Sequence, residues 1–166
     1  MDDGTFVSLV TELDARLANA ADGADHGIKA TPYLQSEELG RACGLATGGL
    51  WIKDETGAVG DSHKARHLMG VAIYLEVAER LGWRERGAPL AIASCGNAAL
   101  AAALVARAAE RTLRVFIPTD ARAAVVERLR ELQAEVVVCE REPGALGDPC
   151  YAAFLEAVAA GALPFC

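Results

Sequence analysis

Basic residues are in the minority in this chain. Its 166 residues carry 16 Lys and Arg against 23 Asp and Glu, a net charge of −7. No basic run offsets that balance, so nucleic acid is not an expected partner. No stretch of about 18 uninterrupted apolar residues occurs, so no membrane-spanning helix, and no membrane partner, is expected. The start, Met1-Asp2-Asp3-Gly4, lacks the basic residues that open a signal peptide, and a cytoplasmic protein is expected. The five cysteines, Cys43, Cys95, Cys139, Cys150 and Cys166, are odd in number and contain no CxxC pair. Neither a disulfide framework nor a zinc site is expected from them, and Cys139 reads as a small core residue. The three histidines, His26, His63 and His67, have no acidic or Cys partner at ligand spacing, so no metal site is expected. Aromatic residues make up only 5 %. No GxGxxG follows a candidate strand, which leaves a nucleotide-binding reading weak.

What is present is apolar and rich in alanine. Hydrophobic residues make up 52 % and charged residues 23 %, enough for a folded core of α/β type. Phe6, Leu9, Val10, Leu13 and Leu17 share one face of a helix expected over 5–19. Thr31-Pro32-Tyr33-Leu34 is extended, because proline disfavours helix in the residue before it. Ser36 to Leu39 starts a short helix. A strand is expected over 50–53, then a loop punctuated by Gly57 and Gly60. Ser62 is the expected cap of a helix that carries Leu68, Met69, Ala72, Leu75, Ala78 and Leu81.

From Pro89 the pattern turns regular. Strands are expected over 90–93, 113–117 and 135–139. Helices are expected over 97–110, 121–133 and 149–160, the second opened by Thr119 or Asp120. Continuous apolar strands alternating with helices predict a parallel sheet covered on both faces, a three-layer αβα arrangement with right-handed crossovers.

Two segments carry chemistry. The first is Lys53-Asp54-Glu55-Thr56-Gly57-Ala58-Val59-Gly60-Asp61-Ser62-His63-Lys64-Ala65-Arg66, which sets Lys64 at a loop-to-helix junction. A lysine alone is most simply a surface residue. A neutral lysine amine, however, condenses with an aldehyde to a Schiff base. The second is Ser94-Cys95-Gly96-Asn97, between a strand and a helix. Read plainly, it is a glycine turn with Asn97 as the N-cap. Read functionally, its backbone N–H groups and the helix dipole make an anion pocket.

From about Thr31 onward the order and spacing of these motifs resemble the N-terminal part of the fold type II pyridoxal-phosphate enzymes. That group includes threonine synthase, serine/threonine dehydratase and the tryptophan synthase β subunit. The His63-Lys64 pair is similar to the tryptophan synthase β type, while Asp61 stands where the threonine synthase type has a glycine. The resemblance implies the tryptophan synthase β-like fold with pyridoxal 5′-phosphate as cofactor. It implies that Lys64 holds the cofactor and later removes the substrate's α-proton. His63 and Asn97 are then cofactor-binding, and Ser94, Cys95, Gly96 and Asn97 bind the substrate's α-carboxylate. The implied reaction is β-elimination or β-replacement on a hydroxy-amino acid or its phosphate ester. The alternative is a non-catalytic binding or scaffold relative.

The resemblance also implies an organisation. Residues 1–53 would pack on a larger domain, and 54–166 would form a small α/β domain with the lysine and the substrate loop. The phosphate-cradling glycine-rich loop and the partner of the pyridine nitrogen would lie in a C-terminal half beyond these residues. The chain is expected to be an incomplete piece, inactive alone, of an enzyme that takes an amino-acid substrate and forms a homo-oligomer. The apolar face of the first helix is expected to lack its full partner.

Overall fold

The apolar runs of the second half become strands of one sheet. The computed structural model describes residues 1–21, 27–45, 49–142, 144 and 146–166. In chain order the elements are α1 (Asp3–Ala20), β1 (Tyr33–Gln35), α2 (Glu37–Ala42), β2 (Trp51–Lys53), α3 (Lys64–Arg80), β3 (Leu90–Ala93), α4 (Asn97–Ala108), β4 (Leu113–Pro118), α5 (Ala123–Glu131), β5 (Glu135–Cys139), α6 (Pro149–Ala159) and β6 (Leu163–Pro164). β1 and β2 form a separate antiparallel pair, with Leu34 opposite Ile52. The main sheet has the order β5-β4-β3-β6, and all its pairings are parallel.

Alternation along the strands divides the core in two. Leu90, Ile92, Leu113, Val115 and Ile117 face the helical layer of α4 and α5. Ala91 and Phe116 face α6 with Cys150 and Phe154. This is the expected three-layer αβα arrangement. α1 and α3 pack on α4 from outside. α4 is therefore surrounded, and its small residues Ala99, Ala101, Ala102 and Ala103 are at most 1 % exposed. Alanine there lets neighbouring backbones approach closely while favouring helix.

Several expectations are corrected. Leu9, Leu13 and Leu17 of α1 are buried, so at these positions the stripe has a partner in this chain; Phe6 stays exposed. α4 ends at Ala108 rather than 110 because Glu110 turns left-handed at φ 54. Glu110 N–H then donates to Arg107 O and Arg111 N–H to Ala106 O, which closes the helix end. α5 begins at Ala123, not at a Thr119 or Asp120 cap. Those two residues form a turn in which Ala121 N–H donates to Pro118 O.

β6 was not expected. Leu163 N–H donates to Pro89 O and Phe165 N–H to Ala91 O, both at 2.8 Å. The proline between them has no N–H, and the edge of a sheet does not need one there. Phe165 is fully buried behind it.

Beside the start of β4, Arg111 closes the α4–β4 turn onto α3. Its guanidinium donates to Glu76 at 2.9 Å and to Glu79 at 2.7 Å, and all three side chains are nearly buried.

Candidate functional site

Lys64 is the first residue of α3. A short 3-10 turn, Val59–Asp61, delivers the chain to it, with Gly60 at φ 73 and Asp61 at φ 55. Val59 anchors this turn in the core. Ser62 is extended rather than capping, and His63 occupies the cap position without a side-chain hydrogen bond. The Ser62 cap is thus a correction. Its Oγ is instead buried with no hydrogen-bond partner among the described residues. His63 is exposed and Lys64 half-buried. Among the described residues the Lys64 ammonium has neither an ion pair nor a hydrogen bond.

The loop before Lys64 is held by a polar clamp. Thr31 Oγ1 donates to Glu55 Oε1 at 2.6 Å, and Lys53 Nζ donates to Thr31 O at 2.5 Å. Arg66, in the first turn of α3, stands 3.5 Å from Glu55 Oε2 and donates to Lys29 O at 2.9 Å. The Thr31 hydrogen bond holds the Glu55 carboxyl below its ordinary range. Desolvation opposes that shift, and the charges of Arg66 and Lys53 reinforce it.

The second motif follows β3. Ser94 N–H donates to Phe116 O, which extends the strand pairing by one residue. Gly96 is the cap residue of α4 and provides no side-chain bond. Asn97 is the first helical residue, so the plain reading of Asn97 as N-cap does not hold. Its amide is exposed and unpartnered among the described residues. Ser94 and Gly96 are half-buried, and the Cys95 side chain is exposed. The first amides of α4 have no side-chain cap, the condition in which a helix start attracts an anion.

A third element joins the two motifs. β6 runs parallel to β3, with Leu90 opposite Leu163 and Ala91 opposite Pro164. Cys166 therefore ends level with Ala93, just before Ser94. His67 Nε2 stands 3.3 Å from Cys166 O. Lys64 is one helical turn before His67. Lys64, His63, Ser94, Cys95, Gly96 and Asn97 are thereby brought to the C-terminal edge of one parallel sheet, where α/β folds form ligand crevices. No group of three or more His, Cys, Asp or Glu that could hold a metal occurs among the described residues, and His26 lies outside them.

The family model of pyridoxal-phosphate-dependent enzymes matches residues 24–162. The chain belongs to this family. As a member of this family it also has similar solved structures. Maize serine racemase superposes with a TM-score of 0.66 at 20 % identity, over 95 % of this chain and 42 % of that one. Escherichia coli diaminopropionate ammonia lyase gives 0.63 at 19 %, over 90 % and 43 %. Threonine deaminase isoform 2 from Solanum lycopersicum gives 0.60 at 17 %, over 99 % and 43 %. The chain thus spans less than half the length of each. No curated protein matches it by sequence.

Pyridoxal 5′-phosphate is the family's cofactor, and the donor set at the sheet edge suits it. Among the described residues the Lys64 amine has no partner, which suits the aldehyde, and Ser62 has a buried hydroxyl without one, which suits one of the cofactor's oxygens. Sequence reasoning spent Ser62 on capping and missed the Thr31–Glu55–Arg66 clamp. Only the Ser-x-Lys spacing pointed to Ser62.

Proposed function

We propose that Lys64 holds pyridoxal phosphate covalently and that the chain contributes to β-elimination or β-replacement on a β-substituted amino acid. What supports this reading is that Lys64 and Asn97, both without a side-chain partner among the described residues, start the two helices that border one sheet edge. When bound, the cofactor withdraws electrons from the substrate's α-carbon. Lys64 Nζ would take the α-proton. The backbone N–H groups of the Ser94–Asn97 turn orient the substrate carboxylate. The Asn97 amide, His63 beside the lysine and Ser62 Oγ would hold the cofactor through polar contacts. The clamp through Glu55 and Arg66 keeps the loop from shifting when Lys64 is freed.

The names of the similar structures support an amino-acid substrate: serine, threonine and diaminopropionate each bear a β-carbon substituent. They also include racemases, so proton return to the α-carbon is the second reading. In a longer chain, residues 1–53 would meet a larger domain through the exposed Tyr33, Leu34 and Trp51, and 54–166 would be the smaller domain. Assembly into a homo-oligomer belongs to the same proposal.

Borohydride reduction with pyridoxal phosphate tests the lysine directly. The sequence has three lysines, Lys29, Lys53 and Lys64, and Lys53 is already engaged by Thr31 O. Peptide mapping is expected to find the pyridoxyl group on Lys64. A group on Lys29 or Lys53 instead removes the assignment. No group on any lysine favours the non-catalytic relative.

A further inference from the structure

A cavity of about 370 Å³ lies between the Gly57–Asp61 loop, α4 and the end of α5. That volume suits a small metabolite. Its floor is apolar: Val59, Leu104 and Leu132 are buried there, and Leu100 is half-buried. Two charged side chains, Asp61 on the loop and Arg128 on α5, line the same space. They do not pair with each other, and the Asp61 carboxylate has neither an ion pair nor a hydrogen bond among the described residues. Arg128 pairs with the exposed Glu131 at 3.0 Å. A guanidinium carries enough N–H donors to serve several acceptors at once. Opposite charges that share a cavity without touching leave a gap for a molecule that carries both. Neither Lys64 nor the Ser94–Asn97 turn lines the cavity. Leu100 and Leu104 stand one and two turns along α4 from Asn97.

We propose that this cavity binds a free α-amino acid with an aliphatic side chain, as an effector rather than as the substrate. Its carboxylate meets Arg128 and its ammonium meets Asp61. Its side chain lies on Leu100, Leu104 and Leu132. A polar side chain finds no partner on that floor and keeps its desolvation cost, which sets the preference for an aliphatic one. A plain carboxylate satisfies Arg128 but faces the like charge of Asp61. A plain amine satisfies Asp61 but faces Arg128. The two walls therefore select a molecule with both groups. Asp61 stands three residues before Lys64, in the turn that Gly60 seats against Leu104. An occupant thus ties the loop that delivers Lys64 to α5. Binding here does not depend on Lys64 holding a cofactor, so this inference stands or falls apart from the proposed function.

The test titrates the whole 166-residue chain, isotopically labelled for amide NMR, with L-leucine. Saturable shifts are expected at Val59, Gly60 and Asp61 on the loop and at Leu104 on the facing helix. With leucine at about ten times its Kd, the melting temperature should rise by about 3–5 °C. Isocaproate, which lacks the ammonium, and isoamylamine, which lacks the carboxylate, should each bind at least about tenfold more weakly. Arg128→Gln and Asp61→Asn should each weaken leucine by about tenfold or more, with the unliganded melting temperature within about 2 °C of the parent. Absence of any saturable shift would overturn the proposal. So would shifts confined to the Ser94–Asn97 turn, which would send leucine to the candidate site instead. Isocaproate binding as tightly as leucine would remove the amino-acid assignment. If one variant does not fold, the other variant and the amide map of the parent give the same answer.

Discussion

Gly60 rests directly on Leu104: a Cβ added to the glycine would lie 2.9 Å from Leu104 Cδ1. The loop that delivers Lys64 is therefore seated on α4, the helix whose start carries Asn97. Gly60 also sits at φ 73, where a side chain is strained. Gly60→Ala is expected to cost roughly 1–3 kcal/mol, from left-handed strain and the displaced leucine tip. Urea unfolding measures it. An unchanged midpoint would show that the loop is not seated as described.

The next residue is expected to respond in the opposite sense. Asp61 has φ 55, a conformation that glycine adopts without strain. Relief of about 1–2 kcal/mol is partly offset by the larger entropy of glycine in the unfolded chain. Asp61→Gly should thus raise stability by up to about 1 kcal/mol. A lower melting temperature would mean that the carboxylate makes a contribution absent from the folded contacts.

Asn97→Ala should leave stability almost untouched. Gly96 is the cap and the Asn97 amide is unpartnered among the described residues, so the change stays within about 0.5 kcal/mol, as at an ordinary surface position. If the residue belongs to the site, the pyridoxal-phosphate spectrum and the rate of reductive trapping on Lys64 change instead. A loss of about 1 kcal/mol in thermal or urea unfolding would restore the capping role.

Acid should loosen the Glu55 clamp. The folded carboxyl lies below its ordinary 4.5, chiefly through the Thr31 hydroxyl. Its stabilisation is present above that value and is lost as the pH falls through it toward the folded value. Melting temperatures between pH 6 and pH 3 should fall less steeply for Glu55→Gln or Thr31→Val than for the parent. Parallel curves would remove Glu55 from the acid response.

Arg111 is expected to matter more than any surface pair. It lies between Glu76 and Glu79, all nearly buried, and the second arginine there, Arg86, is largely exposed. Arg111→Met strands two carboxylates in the interior and should cost about 3–5 kcal/mol. Exposed pairs such as Arg41–Glu37 should cost under about 1 kcal/mol when broken. A small effect of Arg111→Met on the urea midpoint would mean that water reaches the two carboxylates.

Much of the framework is legible along the chain. β3 and β5 occupy the residues that their apolar runs mark out, Leu90–Ala93 and Glu135–Cys139. Ser36 caps α2, where a Ser followed by Glu-Glu announces a helix. Helix ends are less legible. Ser62, Thr119 and Asp120 all have capping side chains, yet none caps, because the neighbouring turns set their backbones first. Nothing local marks the left-handed Glu110 that stops α4.

The sequence by itself determined the αβα alternation, the helix start at Lys64 and the strand-to-helix turn at Ser94–Asn97. Each of these follows from backbone preference and side-chain period within a few residues. Only the tertiary structure decided that the two motifs share an edge. That rests on β6, a two-residue strand held by one N–H on either side of Pro164. It rests also on His67 reaching Cys166, 99 residues away in sequence. Only the fold likewise set Thr31 and Arg66 on either side of Glu55. Such contacts depend on which surfaces remain free once the sheet and its helices have packed, and no local pattern carries that information.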